Sequence, residues 1–236
     1  MKIDALFISD VHLGSKGSNA KDLLHLLKKY EPKQLFIVGD FIDGWLLKKH
    51  HYWNQDFTNI IRKILSYSKN GTEVCYVVGN HDEFLRDFDL PIKFGDNINI
   101  VDEVIFSSER GNTKYLITHG DHYDGIIKLR WLAHFGSWGY ELAIGLDRLL
   151  KSFGYKSSVS KYLKNNVKSA VKFITDFEHQ LKNEAIKRDC IGVICGHIHT
   201  PEDRYVGNVH YLNCGDWIEN NSYIIYNKGE FKLKYL

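Results

Sequence analysis

Five short apolar runs in this sequence each lead directly into a polar loop built from aspartate, asparagine or histidine. One of them, Glu73–Val78, is rich in β-branched and aromatic residues, which predicts a buried strand. Because glycine allows a tight turn, Gly79 would bring the polar groups of Asn80-His81-Asp82 together at the carboxyl end of this strand. Open α/β sheets bind ligands at that edge. The other four loops are Asp10-Val11-His12, Gly39-Asp40-Phe41-Ile42-Asp43, His119-Gly120-Asp121 and Gly196-His197-Ile198-His199.

Predicted strands and helices alternate through the first third of the chain. A strand over Ile3–Ser9 precedes a helix that begins after Ser18 or Asn19 and runs to Tyr30. A second strand, Gln34–Val38, precedes a second helix and then the strand described above. This β-α-β-α-β order predicts an α/β fold with a mostly parallel sheet. Further strands are predicted at Ile98–Phe106, Lys114–Thr118 and Cys190–Cys195, followed by a β-meander of Val209–Asn213, Tyr223–Tyr226 and Phe231–Lys234.

The segment from about residue 125 to 187 has helical periodicity and no strand pattern. Its first half is aromatic and apolar, and its second half is basic, with ten Lys or Arg residues against three acids between Arg148 and Arg188. We predict one domain over residues 1–236, with a helical insert at about 125–187 that caps the edge of the sheet. Apolar residues at helical spacing are usually core, so most of these aromatic side chains are expected to pack together.

Bulk composition narrows the class of protein. The 236 residues suffice for one domain with a sizeable core, and a formal charge of +2 does not indicate general binding to nucleic acid. None of the four cysteines forms a C-x-x-C pair, so we expect buried thiols in a reducing compartment. We see no signal-peptide pattern and no apolar run long enough to span a bilayer. These features predict a cytoplasmic protein.

The polar loops offer ligands for two divalent metal ions. Asp40 is the predicted bridge, because a carboxylate has two oxygens and can contact two cations. All donors are nitrogen or oxygen, which favours Mn²⁺, our first choice, or Fe²⁺, Zn²⁺, Co²⁺ or Ni²⁺. Two such ions about 3.5–4 Å apart clamp a phosphoryl group and generate a bridging hydroxide. The first ion is assigned Asp10, His12, Asp40 and His199, and the second Asp40, Asn80, His119 and His197.

Residues beside the ligands are predicted to act in catalysis and substrate binding. His81 is the predicted cation or proton donor toward the phosphate or its leaving oxygen. Asp82 is placed with His81 in the catalytic set, and both Asp82 and Asp121 are predicted to orient imidazole N–H groups. The predicted substrate-binding residues are Asn80, His81 and Asp124. A histidine taken alone is more simply explained as a surface or packed residue, but chance does not readily produce five such loops in one chain.

The motifs Asp-x-His, Gly-Asp-x-x-Asp, Gly-Asn-His-Asp, His-Gly-Asp and Gly-His-x-His, in this order, resemble those of the calcineurin-like metallophosphoesterases. They extend from Asp10 to His199, which is nearly the whole chain. The resemblance implies a four-layer α/β/β/α metallophosphoesterase sandwich with a helical cap insert and a dinuclear metal site. It also supports the ligand assignment given above.

Within that family the chain resembles the UDP-2,3-diacylglucosamine pyrophosphohydrolase group of lipid A biosynthesis. The shared features are Phe7–Leu13, Gly39–Trp45, Phe84-Leu85 and the helical insert after His119-Gly120-Asp121. The resemblance implies hydrolysis of the pyrophosphate of UDP-2,3-diacylglucosamine by a metal-bridging hydroxide. The products would be UMP and 2,3-diacylglucosamine 1-phosphate, and the cap would hold the acyl chains of this nucleotide-sugar lipid.

Other readings of the sequence stay open. His81 stands where well-characterised members of that group have arginine, which favours a metallophosphoesterase acting on a different nucleotide or phosphodiester. A binding module with an inactive site usually lacks some metal ligands, whereas all seven are present here.

The basic half of the insert is expected to make peripheral contact with the inner face of the cytoplasmic membrane, with a contribution of about 1 kcal/mol from each Lys or Arg near the surface. No nucleic-acid partner is expected, because no nucleic-acid motif accompanies these lysines. The oligomeric state is not readable.

Overall fold

The computed structural model describes residues 1–107, 113–123 and 159–236. Two β-sheets form the centre of the described part. The first sheet consists of β1 (Lys2–Ile8), β2 (Glu31–Val38), β3 (Glu73–Val77), β4 (Ile92–Phe94), β5 (Ile98–Val101), β11 (Ser222–Asn227) and β12 (Glu230–Tyr235). Its strands lie in the order β12-β11-β1-β2-β3-β5-β4, and β1, β2 and β3 are parallel neighbours.

The second sheet consists of β6 (Glu103–Ser107), β7 (Lys114–Thr118), β8 (Gly192–Cys195), β9 (Glu202–Val206) and β10 (Val209–Asn213), in the order β6-β7-β8-β10-β9. The α-helices of the described residues are α1 (Ala20–Lys29), α2 (Gly44–His50), α3 (Gln55–Lys69) and α4 (Val159–Lys187). Two compact units are present: Met1–His122 with Leu181–Leu236, and Tyr123–Gln180. The first unit contains both sheets.

Alternating side chains of β1 explain how the first unit is layered. Leu6 and Ile8 belong to a core that also contains Leu23 of α1 and Ile60 of α3. Phe7, on the opposite face, stacks on Phe36 of β2, with ring centroids 4.8 Å apart. The core between the sheets continues into the second sheet through Phe106, Tyr115, Ile117, Ile194 and Leu212.

The other face of the second sheet is also covered. Leu116, Val193 and Tyr211, which alternate with the core residues just named, are buried, and so are Leu181 and Ala185 at the end of α4. The order of layers is therefore helix, sheet, sheet, helix, and the predicted α/β/β/α class is confirmed.

Two strand predictions are wrong in their sheet membership. The predicted strand Ile98–Phe106 is two strands, β5 and β6, which lie in different sheets and meet at Asp102. The predicted C-terminal meander is also divided, because β10 pairs with β8 in the second sheet whereas β11 and β12 extend the first. An apolar run indicates a strand, but it does not say which sheet that strand joins.

The predicted insert is described only in its last part. Residues 159–187 form helix α4, in which Phe173 and Phe177 stack with ring centroids 6.4 Å apart. The rest of the insert lies outside the described residues, so its role as a cap stays a prediction. Among the helices of the described ranges, none combines the length and apolar character that a bilayer crossing requires.

Candidate metal centre

The seven predicted ligands all follow the carboxyl ends of parallel strands. Those from the first sheet follow β1, β2 and β3, and those from the second follow β7 and β8. The set is buried except for His199, whose side chain is 22% exposed; the buried members are Asp10, His12, Asp40, Asn80, His119 and His197. The fold thus brings residues from distant parts of the chain to one place.

The distances between donor atoms are those of ligands around shared ions. His12 Nε2 lies 3.9 Å from both Asp10 Oδ1 and Asp40 Oδ2. His199 Nε2 lies 3.0 Å from Asp10 Oδ1, and His119 Nε2 lies 3.4 Å from Asp40 Oδ1. Three groups in the described residues have possible ligand atoms within 4.8 Å of one another: Asp10 with His12 and His199, Asp10 with Asp40 and His119, and His12 with Asp43 and His81.

Several buried atoms that could bind a metal ion have no hydrogen-bond partner within the described part of the chain. Among them are His12 Nε2, Asp40 Oδ2 and both polar atoms of the Asn80 amide. Leaving a buried polar group unsatisfied costs about 1–3 kcal/mol. Their concentration at one point, with nitrogen and oxygen donors only, fits a divalent cation of the first transition series.

The second nitrogen or oxygen atom of several ligand side chains is held by a contact with the protein. His119 Nδ1 donates to the Val38 carbonyl oxygen at 2.9 Å, which leaves Nε2 directed at Asp40. His12 Nδ1 lies 3.2 Å from Asp43 Oδ2, so its Nε2 also faces the site. Such partners fix the orientation of a metal-binding imidazole. Asp10 Oδ2 accepts from the His197 backbone N–H at 3.0 Å, so Oδ1 is turned toward the histidines.

Five of these residues have left-handed backbone conformations. The φ angles are 53° at Asp10, 52° at His12, 49° at Asp40, 69° at His197 and 52° at His199. Residues other than glycine rarely adopt this region, at a cost of about 1–2 kcal/mol each. Strain of this kind persists only where the surrounding structure imposes it, and it is concentrated at functional sites.

Gly196 allows the loop after β8 to approach the loop after β1. A Cβ at this position would fall far inside van der Waals contact with Ser9 Oγ and Asp10 Oδ2. We expect Gly196→Ala to lower the free energy of unfolding by about 1–3 kcal/mol, because the side chain overpacks the site, and to weaken metal binding. Thermal unfolding and Mn²⁺ titration would measure both effects. Gly17→Ala is the control, since its Cβ would make an ordinary contact 3.6 Å from Ser15 Oγ; equal behaviour of the two variants would contradict the expectation.

His81 lies beside the ligands, as predicted. Its Nδ1 is 3.1 Å from Asp43 Oδ2, and its Nε2 is 3.9 Å from Asp40 Oδ2. The ring packs against Trp45 with centroids 4.2 Å apart, and its side chain is 18% exposed. A partly accessible imidazole next to the ligand cluster is well placed to exchange a proton with a bound substrate.

Asp43 contacts two of the histidines at the site, which its sequence motif did not by itself indicate. Its Oδ2 contacts both His12 and His81, and its Oδ1 accepts from the Leu46 N–H at 2.8 Å and so caps α2. An aspartate at the start of a helix, within Gly-Asp-x-x-Asp, was the available signal. Burial by itself would raise the pKa of Asp43, but hydrogen bonds from His12 and His81 hold it well below the ordinary value.

The structure places two predicted acids differently from expectation. Asp82 is fully buried and accepts from the backbone N–H groups of Phe41 and Gly79 and from the Tyr76 hydroxyl. Among the described residues it therefore holds the loop together, in place of the predicted bond to an imidazole N–H. Asp121 pairs with Arg86. Asp124 lies outside the described residues.

The electrostatics of the cluster are dominated by ion pairing. Burial lowers the pKa of a histidine, yet the adjacent Asp40 carboxylate raises the pKa of His119 to about 10. Burial would conversely raise the pKa of Asp40 and Asp10, but His119 and His199 respectively hold these carboxyl groups well below the ordinary value. At neutral pH and without cations, the cluster therefore contains carboxylates paired with at least one imidazolium.

A buried set of nitrogen and oxygen donors, with a histidine beside it, at the carboxyl edge of an α/β/β/α fold is the arrangement of a metal-dependent hydrolase. The chain belongs to the calcineurin-like phosphoesterase family, whose sequence profile matches residues 3–201.

Curated relatives extend over nearly the full chain. A UDP-2,3-diacylglucosamine hydrolase from Porphyromonas gingivalis (strain ATCC BAA-308 / W83) is 25% identical over 96% of this chain and 95% of its own length. A protein of the same name from Wigglesworthia glossinidia brevipalpis is 25% identical over 99% of this chain and 94% of its own. Among solved structures, a mutant of Vps29 from Entamoeba histolytica is similar with a TM-score of 0.48 and 14% identity, covering 98% of this chain and 97% of that one.

Proposed function

We propose that this protein is a dinuclear phosphoesterase that hydrolyses the pyrophosphate of UDP-2,3-diacylglucosamine to UMP and 2,3-diacylglucosamine 1-phosphate. The observation that supports the chemistry is the cluster of buried, unsatisfied donor atoms around Asp40. The substrate is supported by two relatives named for this compound, each aligned over nearly its whole length.

The proposed ligands divide into two sets that share Asp40. The first ion takes Asp10, His12, Asp40 and His199, and the second takes Asp40, Asn80, His119 and His197. Mn²⁺ is the proposed metal, with Fe²⁺, Zn²⁺, Co²⁺ and Ni²⁺ as alternatives of similar ligand preference. When bound, two such ions polarise a phosphoryl group and lower the pKa of water at the site.

The residues around this centre would bind and protonate the substrate. His81, held by Asp43, would donate a proton to the leaving oxygen. Next to His81 is a cavity of about 310 Å³, which Trp45, Lys48, Phe84 and other residues line. Its size suits part of a nucleotide-sugar substrate. Asn80, beside His81, would contact the phosphate as well as an ion, and Asp124 is the third proposed contact.

Loading the metals should release protons, because imidazole nitrogens bind metal only when unprotonated. The pKa of His119 is raised to about 10, so its proton is present at pH 7.5 and must leave, whereas the carboxylates with lowered pKa have none to give. We therefore expect release of about one proton from His119 and weaker metal binding as the pH falls. Calorimetry of Mn²⁺ binding in Tris and in Hepes measures this number from the difference in heat.

The exposed His25 on α1 provides the control for that measurement. His25→Gln should leave the number of released protons unchanged, and His119→Gln should reduce it. Identical binding heats in the two buffers would contradict the ion-paired state of the metal-free cluster.

We also propose that the protein works in the cytoplasm and contacts the inner face of the cytoplasmic membrane. The support is the basic half of the insert, because lysines attract anionic lipid and the acyl chains of the substrate lie in that membrane. In a flotation assay, the protein should rise with vesicles that contain anionic lipid, and less of it should rise as the salt concentration increases. Protein that stays at the bottom of the gradient with or without vesicles would argue against membrane contact.

A second candidate function is hydrolysis of a different nucleotide or phosphodiester. The specific observation in its favour is His81, which stands where well-characterised members of the resembled group have arginine.

One assay separates the two candidates. Metal-stripped protein with Mn²⁺ restored is given UDP-2,3-diacylglucosamine, and UMP is followed. Efficient release of UMP supports the lipid substrate. Cleavage of bis-p-nitrophenyl phosphate without release of UMP would retain the phosphoesterase and exclude the lipid substrate.

A further inference from the structure

Arg86 connects several chain segments around the proposed metal centre. It lies in a 3₁₀ turn, Glu83–Asp87, shortly after Asn80. Its Nε donates to Asp102 Oδ1 at 2.8 Å, and Nη1 and Nη2 donate to the two oxygens of Asp121 at 2.7 and 3.2 Å. Nη2 also donates to the Val78 carbonyl oxygen at 3.0 Å. Two parallel bonds to one carboxylate are the most specific arrangement that a guanidinium group makes.

The acceptors of Arg86 adjoin ligands of the proposed second ion. Val78 lies between the end of β3 and Gly79-Asn80, and Asp121 follows His119-Gly120 after the end of β7. Asp102 is the point at which the chain passes from one sheet to the other. The guanidinium group therefore holds the end of β3 against the end of β7, and these two strands supply Asn80 and His119.

Burial makes this connection stronger than a surface ion pair. The side chain of Arg86 is 21% exposed and that of Asp121 is 9% exposed. Exposed pairs contribute about 0–1 kcal/mol, but removing one partner of a shielded pair leaves a charge without compensation.

We propose that Arg86 is a positioning residue that fixes the separation of Asn80 from His119 and so sets the affinity of the second metal site. The inference rests on the two-metal centre of the proposed function. Lysine would not replace it fully, because a single ammonium cannot make the forked contacts. Removal of a group that orients metal ligands typically weakens metal binding about 10–100-fold, and we expect a loss in this range at one of the two sites.

Titration of metal-stripped Arg86→Gln and Asp121→Asn with Mn²⁺, followed by electron paramagnetic resonance, tests the proposal. One Mn²⁺ should bind as in the unaltered protein, and the other at least about tenfold more weakly. The signal of a spin-coupled Mn²⁺ pair should appear only at higher metal concentration. A merely structural role would lower the unfolding temperature and leave this signal unchanged.

Arg188→Gln is the matched control in the same unit. Arg188 Nη1 lies 2.6 Å from Glu103 Oε2 and its Nε donates to Glu184 at 2.8 Å, but neither partner is part of a loop that contains a predicted ligand. This variant should keep both Mn²⁺ affinities. If Arg86→Gln does not fold, Asp121→Asn and Arg86→Lys give the same readout.

The outcomes separate this inference from the function on which it rests. Unaltered protein that binds fewer than two Mn²⁺ ions would overturn the dinuclear centre itself. Two ions in the unaltered protein, with unchanged affinities and spin-coupled signal in Arg86→Gln and Asp121→Asn, would overturn only the role of Arg86.

Discussion

Replacing Asp40 by asparagine is expected to abolish phosphoester hydrolysis. The substitution keeps the size of the side chain, the oxygen that accepts from the His81 backbone N–H at 2.7 Å and a residue type that tolerates the left-handed backbone. It removes the negative charge that would join the two ions. Mutation of a residue that only orients a metal ligand typically weakens metal binding or activity about 10–100-fold. Loss of the bridging ligand itself should therefore reduce kcat/KM by more than about a hundredfold.

The measurement is hydrolysis of UDP-2,3-diacylglucosamine and of bis-p-nitrophenyl phosphate, together with the bound Mn²⁺ per chain. Both activities should be lost, since they depend on the same centre. Asp203→Asn is the control: its carboxylate pairs with His210 at 2.8 Å and is partly exposed, so activity should not change. Turnover retained by Asp40→Asn with either substrate would refute the two-metal proposal.

Replacing His81 by glutamine is expected to lower kcat by about 10²–10⁴-fold and to leave two Mn²⁺ ions bound. Asp43 holds Nδ1 of this ring, so Nε2 faces the ligand cluster, 3.9 Å from Asp40 Oδ2. From there it can protonate a leaving oxygen. The loss should be large for an alkyl phosphodiester, whose alkoxide is a poor leaving group, and small for an aryl phosphodiester, whose phenolate needs no proton.

Metal stoichiometry is the decisive second readout for His81→Gln. His81 also belongs to a group with His12 and Asp43 whose donor atoms lie within 4.8 Å of one another. Loss of a bound ion would show that His81 is a ligand and not an acid. Equal losses with both leaving groups would likewise contradict proton donation.

Much of the fold followed from sequence because the predicted strands were strongly apolar and ended in glycine and polar residues. The alternation of β1, α1, β2, α3 and β3 was predictable on this basis. Helix α2 was not, since seven residues are too few to show periodicity. Sheet membership also escaped prediction, because the pairing of β10 and the division at Asp102 depend on contacts between residues far apart in the chain.

The site was predictable in residue type and only partly in role. Aspartate, asparagine and histidine at strand ends indicated metal ligands, and the fold brings all seven together. The partners of Asp82 are backbone N–H groups and a tyrosine hydroxyl, which no motif reveals. Asp43 and Arg86 were missed for the same reason, since their importance lies in which atoms they contact.

The division of the ligands between two sheets has a consequence for biosynthesis. The loops after β1, β2 and β3 contribute Asp10, Asp40 and Asn80, whereas His197 and His199 follow β8, after all the other ligands in the sequence. A nascent polypeptide thus has no complete binding site until β8 has left the ribosome and the sheets have docked. Metal capture would then follow the synthesis of β8, and chains truncated before β8 would compete poorly for the cellular supply of these ions.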